Sequence, residues 1–476
     1  MMKDYTSTGI QGLDYLLNGG FPTGASILLE GLPGTGKTNL SMQFLYNGAV
    51  KYDEPGMYIT FEELPGQIYK EMKAFGWDIP ALERENKMRV LCISPQVLLE
   101  QMETQNGLFE QMIREIDCKR IAIDSVSLFQ LGDESVETKR KTLYKLRNIL
   151  RKFNLTSLLI QEQTAVEDPE TSYINYIVDG VIRLSLKDYK EHYRKRTLEV
   201  LKMRGRKIVE GEHIYRITDQ GIHLLPAFSM VEDKAHIYNS SMVTTGIPKL
   251  DQLLDGGIPE GSAFILDTNS KANYKYMAVS IAANRLLAGD NLIILLSSLS
   301  TINDLQFLYE LFGVSLKEYV AKRKVYFIEH YNRPVPPEFE DAIIDVSNLN
   351  NEEYKQELQN ILSPFIESSI NKQEKWFVYY DLNTIVSQRG KAFLETFFAE
   401  ELSRLNSAGF SVLALSNFTE LGPQLSSFIE RTSNGVIKTW VEGNYQYVQL
   451  LKSPMGKMST PLLVENINTK PYINLI

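Results

Sequence analysis

The sequence has little cysteine and little histidine, the residue types on which disulfide frameworks and many metal sites depend. Only Cys92 and Cys118 occur in 476 residues, together with 5 histidines that are scattered along the chain. Neither cysteine has partners at the spacing of a structural zinc site. A disulfide-stabilised fold and a zinc module are therefore excluded, and a reduced, cytoplasmic protein is expected.

Long apolar runs and an excess of positive charge are also missing. Apolar runs such as Leu292–Leu296 fall far below the ~20 residues that cross a bilayer, so no membrane segment is predicted. Asp and Glu number 59 against 50 Lys and Arg, which gives a net charge of −9. Because proteins that coat nucleic acid usually carry a basic surface, nucleic acid is not the expected partner.

The chain contains an internal duplication. The 17-residue segment 8–24 recurs 237 residues later as segment 245–261, and 11 of the 17 positions are identical without a gap. The period is too long for a solenoid, so each copy should be a whole domain. The sequence predicts one domain at 1–228, a second at 241–476, and a polar linker at 229–240 between them.

The first copy alternates apolar strands with helical segments. Strands are predicted at 25–30, 56–61, 120–124 and 155–160, and helices at 38–50 and 137–153. This alternation is typical of an α/β fold in which helices flank a mostly parallel sheet. Segments 196–203 and 213–225 predict two more strands, joined as a hairpin extension near Gly205 or Gly211.

A phosphate-binding loop follows the first of these strands. The segment 31–38 matches the pattern G-x-x-x-x-G-K-[ST], lies after a strand and opens a helix. Its glycines allow backbone N–H groups to face phosphate oxygens, and the helix adds its positive end. The residues predicted to contact a bound nucleotide here are Gly31, Leu32, Pro33, Gly34, Thr35, Gly36, Lys37, Thr38 and Asn39.

Carboxylates follow two other strands. Asp124 ends an apolar strand, where a Walker B aspartate would help Thr38 to hold Mg²⁺. Glu62 and Glu63 come directly after the strand at 56–61, at the edge where a parallel sheet gathers its ligand-facing loops. The sequence predicts that at least one of these glutamates orients the water that attacks ATP.

Together these motifs resemble the KaiC family of RecA-like ATPases. The resemblance also includes the opening repeated segment, the stretch Leu201–Gly205 and the stretch Ile217–Ile222. It implies two tandem RecA-like P-loop domains, a homo-oligomer that is a hexameric double ring, and ATP with Mg²⁺ bound between neighbouring protomers. It covers nearly all of the first copy and the apolar frame of the second.

Further site residues come from the resemblance alone. Glu62 and Glu63 resemble the family's catalytic pair, with Glu62 as the preferred base. Lys202 and Arg204 resemble residues that reach a neighbour's γ-phosphate, where cations would stabilise the charge of the transferred phosphoryl group. Asp219 matches a position that contacts the nucleoside across the interface. The family's Thr and His after the Lys-x-Arg-Gly step are replaced here by Arg206 and Ile208.

The second copy lacks these groups. Its counterpart of the phosphate loop, segment 267–275, contains no glycine, and Tyr274 stands in place of Lys37. Ser297 and Ser298 replace the glutamate pair, whereas Asp381 preserves an apparent Walker B carboxylate. A domain without ATP hydrolysis is predicted, with a structural or partner-binding role. The clock members of the family phosphorylate themselves in this domain, and no such autokinase activity is expected here.

Three functions are compatible with these observations. The first is a slow regulatory ATPase of the KaiC type, which presents its second domain to an unknown regulatory protein. The second is a DNA-acting mediator of recombination of the RecA/RadA type, which shares the core but lacks a recognisable DNA-binding module. The third is a nucleotide-dependent scaffold with little turnover. Weak nucleotide binding by the second domain is left open.

Overall fold

A computed structural model describes residues 5–130, 135–163, 174–189, 193–227, 241–298 and 300–476. The predicted linker at 229–240 lies outside these residues. The chain divides into two compact units, Met1–Ala227 and Phe228–Ile476. Each unit is built on one large sheet with helices packed against it, so the predicted α/β fold is confirmed. None of the helices in the described ranges is long and apolar enough to cross a membrane.

The first unit alternates strands and helices along the chain. Its strands are β1 (Tyr5–Thr6), β2 (Phe21–Pro22), β3 (Ser26–Gly31), β4 (Gly56–Thr60), β5 (Met88–Cys92), β6 (Arg120–Asp124), β7 (Thr156–Glu162), β8 (Gly180–Tyr189), β9 (Tyr193–Met203), β10 (Glu212–Thr218) and β11 (Gly221–Leu225). Its helices are α1 (Leu13–Leu16), α2 (Lys37–Lys51), α3 (Pro65–Lys73), α4 (Ile79–Arg84), α5 (Pro95–Glu103), α6 (Leu108–Glu115), α7 (Val136–Lys152) and α8 (Ile174–Ile177), with a 3₁₀ turn at Val126–Gln130.

The second unit follows the same plan. Its strands are β12 (Met242–Val243), β13 (Ile258–Pro259), β14 (Ala263–Thr268), β15 (Asn291–Leu295), β16 (Val325–Glu329), β17 (Ile343–Asp345), β18 (Trp376–Asp381), β19 (Ser411–Ser416), β20 (Gly435–Glu442), β21 (Tyr445–Lys452), β22 (Leu462–Asn466) and β23 (Ile473–Leu475). Its helices are α9 (Pro248–Leu253), α10 (Lys275–Leu287), α11 (Ile302–Leu311), α12 (Leu316–Ala321), α13 (Asn351–Lys372), α14 (Leu382–Arg389), α15 (Lys391–Ser407), α16 (Phe418–Leu421) and α17 (Pro423–Thr432), with a 3₁₀ turn at Pro337–Ala342.

The two large sheets have the same topology. The first has the order β11-β10-β9-β8-β3-β7-β6-β4-β5, in which β8 to β5 are parallel and β9 to β11 are antiparallel. The second has the order β17-β16-β15-β18-β19-β14-β20-β21-β22-β23. Strand for strand this is the first order reversed, with β17 added at the edge. The duplication seen in the sequence is therefore a duplication of the whole sheet.

The parallel strands are buried on both faces. In β3, Ile27 and Leu29 pack into one apolar core, whereas Leu28 between them packs into the other. Successive side chains of a strand point to opposite faces, so a central strand is apolar at most positions. This requirement explains the continuous apolar runs from which the strands were predicted.

The repeated segment holds the same local structure in both units. The Asp14 carboxylate accepts hydrogen bonds of 2.7 Å from both the backbone N–H and the hydroxyl of Thr8. Asp251 accepts the same pair from Thr245, at 2.7 and 2.6 Å. Gly20 lies at φ 136°, and a Cβ there would stand 2.3 Å from a backbone carbonyl oxygen. The identities between the copies therefore preserve folding contacts rather than a catalytic group.

The antiparallel extension differs from its prediction. The segment 213–225 forms two strands, β10 and β11, because a turn at 219–220 reverses the chain before Gly221. Strands β5 and β8 were not predicted, although both belong to the sheet. The extension is therefore a four-stranded antiparallel run from β8 to β11 rather than a single hairpin.

Candidate active site

The loop between β3 and α2 is shaped around one lysine. Gly36 precedes α2 in the left-handed region, at φ 87°, where a residue with a side chain would be strained. Lys37 begins α2 and is buried. Its ammonium group donates hydrogen bonds to the carbonyl oxygens of Gly31 at 2.8 Å and Leu32 at 3.2 Å. Burial lowers the pKa of Lys37, while Glu162 and Asp124 oppose this by charge attraction.

Backbone N–H groups of this loop are open to a ligand. In the part of the chain that the structure describes, the amides of Gly34, Gly36 and Thr38 donate to no protein acceptor. These residues line a cleft of about 370 Å³, within the size range of small-molecule sites. Unpaired amides at the N-terminus of a helix form an anion site, and phosphate oxygens are the acceptors that fit it.

The Thr38 hydroxyl and the Asp124 carboxylate meet in the cleft beside the loop. The Thr38 hydroxyl donates to Asp124 Oδ2 at 3.1 Å, and the Tyr58 phenol donates to the same oxygen at 2.6 Å. Burial raises the pKa of Asp124, and these two hydrogen bonds act against that rise. Tyr58 was not predicted as a site residue, because its position in β4 is that of a core side chain.

These oxygens fit a magnesium site of the kind that phosphates complete. No cluster of three or more His, Cys, Asp or Glu side chains that could hold a metal ion is found among the described residues. Mg²⁺ prefers oxygen ligands and commonly uses one or two protein groups together with substrate phosphates and water. The Thr38 hydroxyl and the Asp124 carboxylate, side by side at the cleft, meet that requirement.

The two predicted glutamates occupy different environments. The Thr60 hydroxyl accepts hydrogen bonds from the amides of Glu62 at 3.3 Å and Glu63 at 3.1 Å, which fixes the backbone after β4. Both glutamates line the cleft, but Glu62 is exposed and Glu63 is half-buried. Burial raises the pKa of Glu63, and the charges of Glu71, Asp124 and Glu62 raise it further. The two glutamates therefore differ in burial and in surrounding charge, which bears on the choice of the catalytic base.

The cleft contains further residues that the motifs did not identify. Glu71 of α3, Glu162 of β7 and Ile217 of β10 line it together with the loop. Glu162 ends a parallel strand beside β3, so the rule that ligand-facing groups follow strand ends would have found it. Glu71 and Ile217 lie inside secondary-structure elements, and only the three-dimensional fold brings them to the cleft.

Lys202 and Arg204 lie at the opposite end of the sheet from the phosphate loop. Met203 of β9 pairs with Gly180 of β8, which pairs with Ile27 near the beginning of β3. The loop leaves the other end of β3, about 13 Å away along the strand. A single protomer therefore does not bring these two cations to its own cleft.

Asp219 lies at the same end of the sheet as the loop. It is exposed, in the turn after β10, two residues beyond Ile217, which lines the cleft. Tyr215 of the same strand donates its phenol hydrogen bond to the Thr35 carbonyl. The structure does not place Asp219 itself among the residues that line the cleft.

Lys202 has a structural contact that the second unit repeats. Its ammonium group donates to the carbonyls of Asn175 at 2.7 Å and Val178 at 2.9 Å, at the end of α8. Lys452 occupies the equivalent register position on β21 and donates to the carbonyls of Glu430, in the last turn of α17, at 2.8 Å and of Ser433, just after it, at 2.6 Å. A lysine at this position caps a helix C-terminus in both units. Arg204 has Pro454 as its counterpart and is half exposed.

In the second unit, side chains of the same unit accept hydrogen bonds from the amides of the equivalent loop. Asn269 Oδ1 accepts from the amides of Lys271 at 3.3 Å and Ala272 at 3.0 Å. Gln446 Oε1 accepts from the amide of Asn273 at 3.2 Å. The amide of Lys275 donates to Asn273 Oδ1 at 3.1 Å. The N–H groups that correspond to Gly34, Gly36 and Thr38 are therefore already paired.

The second unit's counterparts of Asp124, Lys37 and Glu62 also differ from the residues of the first unit, in type or in contacts. Asp381 ends β18, but its carboxylate accepts from the Thr384 amide at 3.0 Å and caps α14; burial raises its pKa to about 6. Tyr274 lines a cavity of only about 40 Å³.

The strand registers show that Ser298 rather than Ser297 corresponds to Glu62, so the predicted correspondence was wrong by one residue. A serine still replaces the carboxylate.

The topology and the loop define the class of protein. Two tandem units with this strand order, each with a loop between the central strand and the following helix, are RecA-like P-loop domains. The family described as "ATPase: KaiC" matches residues 6–229, which covers the first unit. The first unit therefore carries a KaiC-type ATPase domain of the RecA superfamily.

Similar proteins carry the same description. The chain is 35% identical over 284 residues to the circadian clock oscillator protein KaiC of Parathermosynechococcus lividus, covering 57% of this chain and 51% of that protein. It is 36% identical over 286 residues to the KaiC of Synechococcus elongatus, covering 57% and 53%. For the KaiC of a Nostoc species the identity is 32% over 284 residues, covering 57% and 53%. The chain spans about half the length of the curated relatives it matches.

The paired lysines give a test of the capping role. We expect Lys202→Met and Lys452→Met each to lower the free energy of unfolding of its own domain by about 1–3 kcal/mol, because each leaves two helix-end carbonyls without a donor. Denaturant unfolding followed by circular dichroism would measure both variants. Lys249→Met is the control, because it removes a partly exposed lysine whose ammonium group contacts the Gln252 side chain rather than a helix end. Unchanged stability in both capping variants would contradict this assignment.

Proposed function

We propose that the first domain binds Mg²⁺-ATP and hydrolyses it slowly, and that the second domain neither binds phosphate at its loop nor hydrolyses ATP. The observation that carries this proposal is the difference between the two loops. In the first domain the amides of Gly34, Gly36 and Thr38 are open at the cleft, above the buried Lys37. In the second domain the equivalent amides donate to side-chain oxygens.

The residues of the first domain divide the chemistry among them. The open amides and Lys37 hold the phosphate oxygens, and Thr38 with Asp124 holds Mg²⁺. When bound, the metal neutralises charge on the phosphates and orients them. Glu63 accepts a proton from the attacking water, since it is half-buried in the cleft and has a raised pKa. Glu62 assists from its exposed position at the rim.

We further propose that a neighbouring protomer completes the site in a hexameric ring. The rim of the cleft is acidic, with Glu62, Glu63, Glu71 and Glu162, whereas a cluster of cations surrounds Asp179 at the far end of the same sheet. The basic end carries Arg147, Arg151, Lys202 and Arg204. Faces of opposite charge at opposite ends of one domain suit a head-to-tail contact, which closes into a ring when the rotation permits.

Arg204 is the better candidate for the contact in trans. It is half exposed; its guanidinium donates to the Tyr176 carbonyl at 2.9 Å, and its contact with the Asp179 carboxylate is 3.8 Å long. Lys202 is committed to helix-end carbonyls in the way that Lys452 is, so its main role is structural. The second domain, with its complete fold and closed loop, would serve as a structural or partner-binding layer without autokinase activity.

The assignment of the base can be tested by turnover. We expect Glu63→Gln to lower the rate of phosphate release from ATP by about 10²–10⁴-fold, the usual contribution of a general base. Glu62→Gln should lower this rate by less than about 10-fold, because solvent water can take the place of an exposed carboxylate as the proton acceptor. Binding of ADP by both variants should match that of the unmodified protein.

The pH dependence follows from the same environment. A base must be deprotonated to act, so a raised pKa of Glu63 moves the acid limb of the rate profile to higher pH. Removing the Glu71 charge should move that limb back toward lower pH.

If Glu63→Gln and the Glu62→Gln, Glu63→Gln double variant both retained full turnover, the catalytic assignment would be wrong.

A mixing experiment tests the contact in trans. Arg204→Ala protein and Lys37→Ala protein should each be nearly inactive, the first through the neighbour's site and the second through its own. Mixed under conditions of subunit exchange, they should recover turnover, because some interfaces then pair an intact Lys37 with an intact Arg204. Arg323→Ala, an arginine of the second domain, is the matched control and should behave as the unmodified protein. A mixture without recovery would contradict assembly of the site in trans.

A further inference from the structure

Tyr58 is a buried phenol next to the proposed metal site. It lies in the middle of β4, is 1% exposed, and is flanked in the strand by the fully buried Met57 and Ile59. Its partner across the sheet is Ala122, two residues before Asp124, so both side chains point to the same face. A buried hydroxyl must find a hydrogen-bond partner, and this one reaches Asp124 Oδ2 at 2.6 Å.

The two hydrogen bonds to Asp124 share one oxygen. Thr38 Oγ1 also donates to Oδ2, at 3.1 Å, whereas Oδ1 accepts no hydrogen bond from the protein in the described part of the chain. The terminal torsion of an aspartate is broad, so a carboxylate with a single partner can rotate. Two donors on Oδ2 from different elements restrain that rotation and leave Oδ1 available at the cleft.

The second domain provides an internal comparison. Ile294 pairs with Tyr379, two residues before Asp381, so Ile294 holds the register position that Tyr58 holds in the first domain. There the aspartate caps α14 instead of facing an open cleft. The phenol is therefore found in the domain whose carboxylate faces the phosphate loop, and an apolar side chain is found in the other.

We propose that Tyr58 is a positioning residue for the metal site of the first domain. By holding Asp124 Oδ2, it directs Oδ1 toward a water molecule of the metal's coordination shell. The Thr38 hydroxyl can offer a lone pair to the metal while it continues to donate its hydrogen bond to Asp124 Oδ2. Tyr58 donates the second hydrogen bond to the same oxygen. This inference rests on the proposed function, since it concerns the same nucleotide site.

The test uses Mn²⁺ as the metal probe, ADP as the nucleotide and the full-length protein. Free Mn²⁺ is measured by electron paramagnetic resonance during titration of the protein–ADP complex. We expect Tyr58→Phe to weaken Mn²⁺ binding about 10-fold, the usual effect of removing an outer-shell partner of a metal ligand. Binding of ADP in the presence of EDTA should change less than about 2-fold, because the phosphate loop is untouched.

Tyr380→Phe is the matched control. Tyr380 is another buried phenol in a central strand, and it donates to a buried carboxylate oxygen of Glu401 at 3.0 Å. The two variants therefore lose the same kind of hydrogen bond and should lose similar thermal stability. Only Tyr58→Phe should weaken Mn²⁺ binding, so a general loss of stability is separated from a local effect on the metal.

The outcomes distinguish this inference from the proposed function. Wild-type affinity for Mn²⁺ in a folded Tyr58→Phe protein would overturn the role of Tyr58 and leave the nucleotide site intact. Equal weakening in both variants would also overturn it. If the unmodified protein bound no ADP, the proposed function would fail and this inference with it. As a second readout, the Mg²⁺ concentration at half-maximal turnover should rise about 10-fold in Tyr58→Phe.

Discussion

A backbone N–H group that faces a cleft must find an acceptor, and in this chain the source of that acceptor separates the two domains. In the first domain, the amides of Gly34, Gly36 and Thr38 donate to no acceptor within the described residues, so a phosphate could supply one. In the second domain, Asn269 and Gln446 supply side-chain oxygens to the equivalent amides. The two loops therefore differ in the amides that they leave unpaired at the cleft, and the roles proposed for the two domains follow from this difference.

Both domains keep the sheet and the polar contacts around it, because these contacts do not involve the ligand. The Thr8–Asp14 contact and its counterpart Thr245–Asp251 hold the start of each domain with nearly equal distances. Lys202 and Lys452 close the end of a helix in each. A domain can lose its phosphate site and keep its fold, since the apolar sheet and these polar contacts carry the stability.

Much of the fold and part of the site could be predicted from the sequence. The parallel strands and the loop around Lys37 have local patterns, and Asp124 follows from its place at a strand end. Tyr58 could not be found in this way, because its position reads as a core residue until the neighbouring strand brings Asp124 to it. The capping role of Lys202 was likewise hidden, since α8 lies more than twenty residues earlier in the chain. Contacts between distant segments carry no local signal.

Counting bound nucleotide tests the central claim most directly. Equilibrium dialysis with a non-hydrolysable ATP analogue and Mg²⁺ should give one nucleotide per chain. Lys37→Ala should abolish that binding, whereas Tyr274→Ala should leave one nucleotide per chain. Two nucleotides per chain in the unmodified protein, or one retained by Lys37→Ala and lost in Tyr274→Ala, would contradict the account.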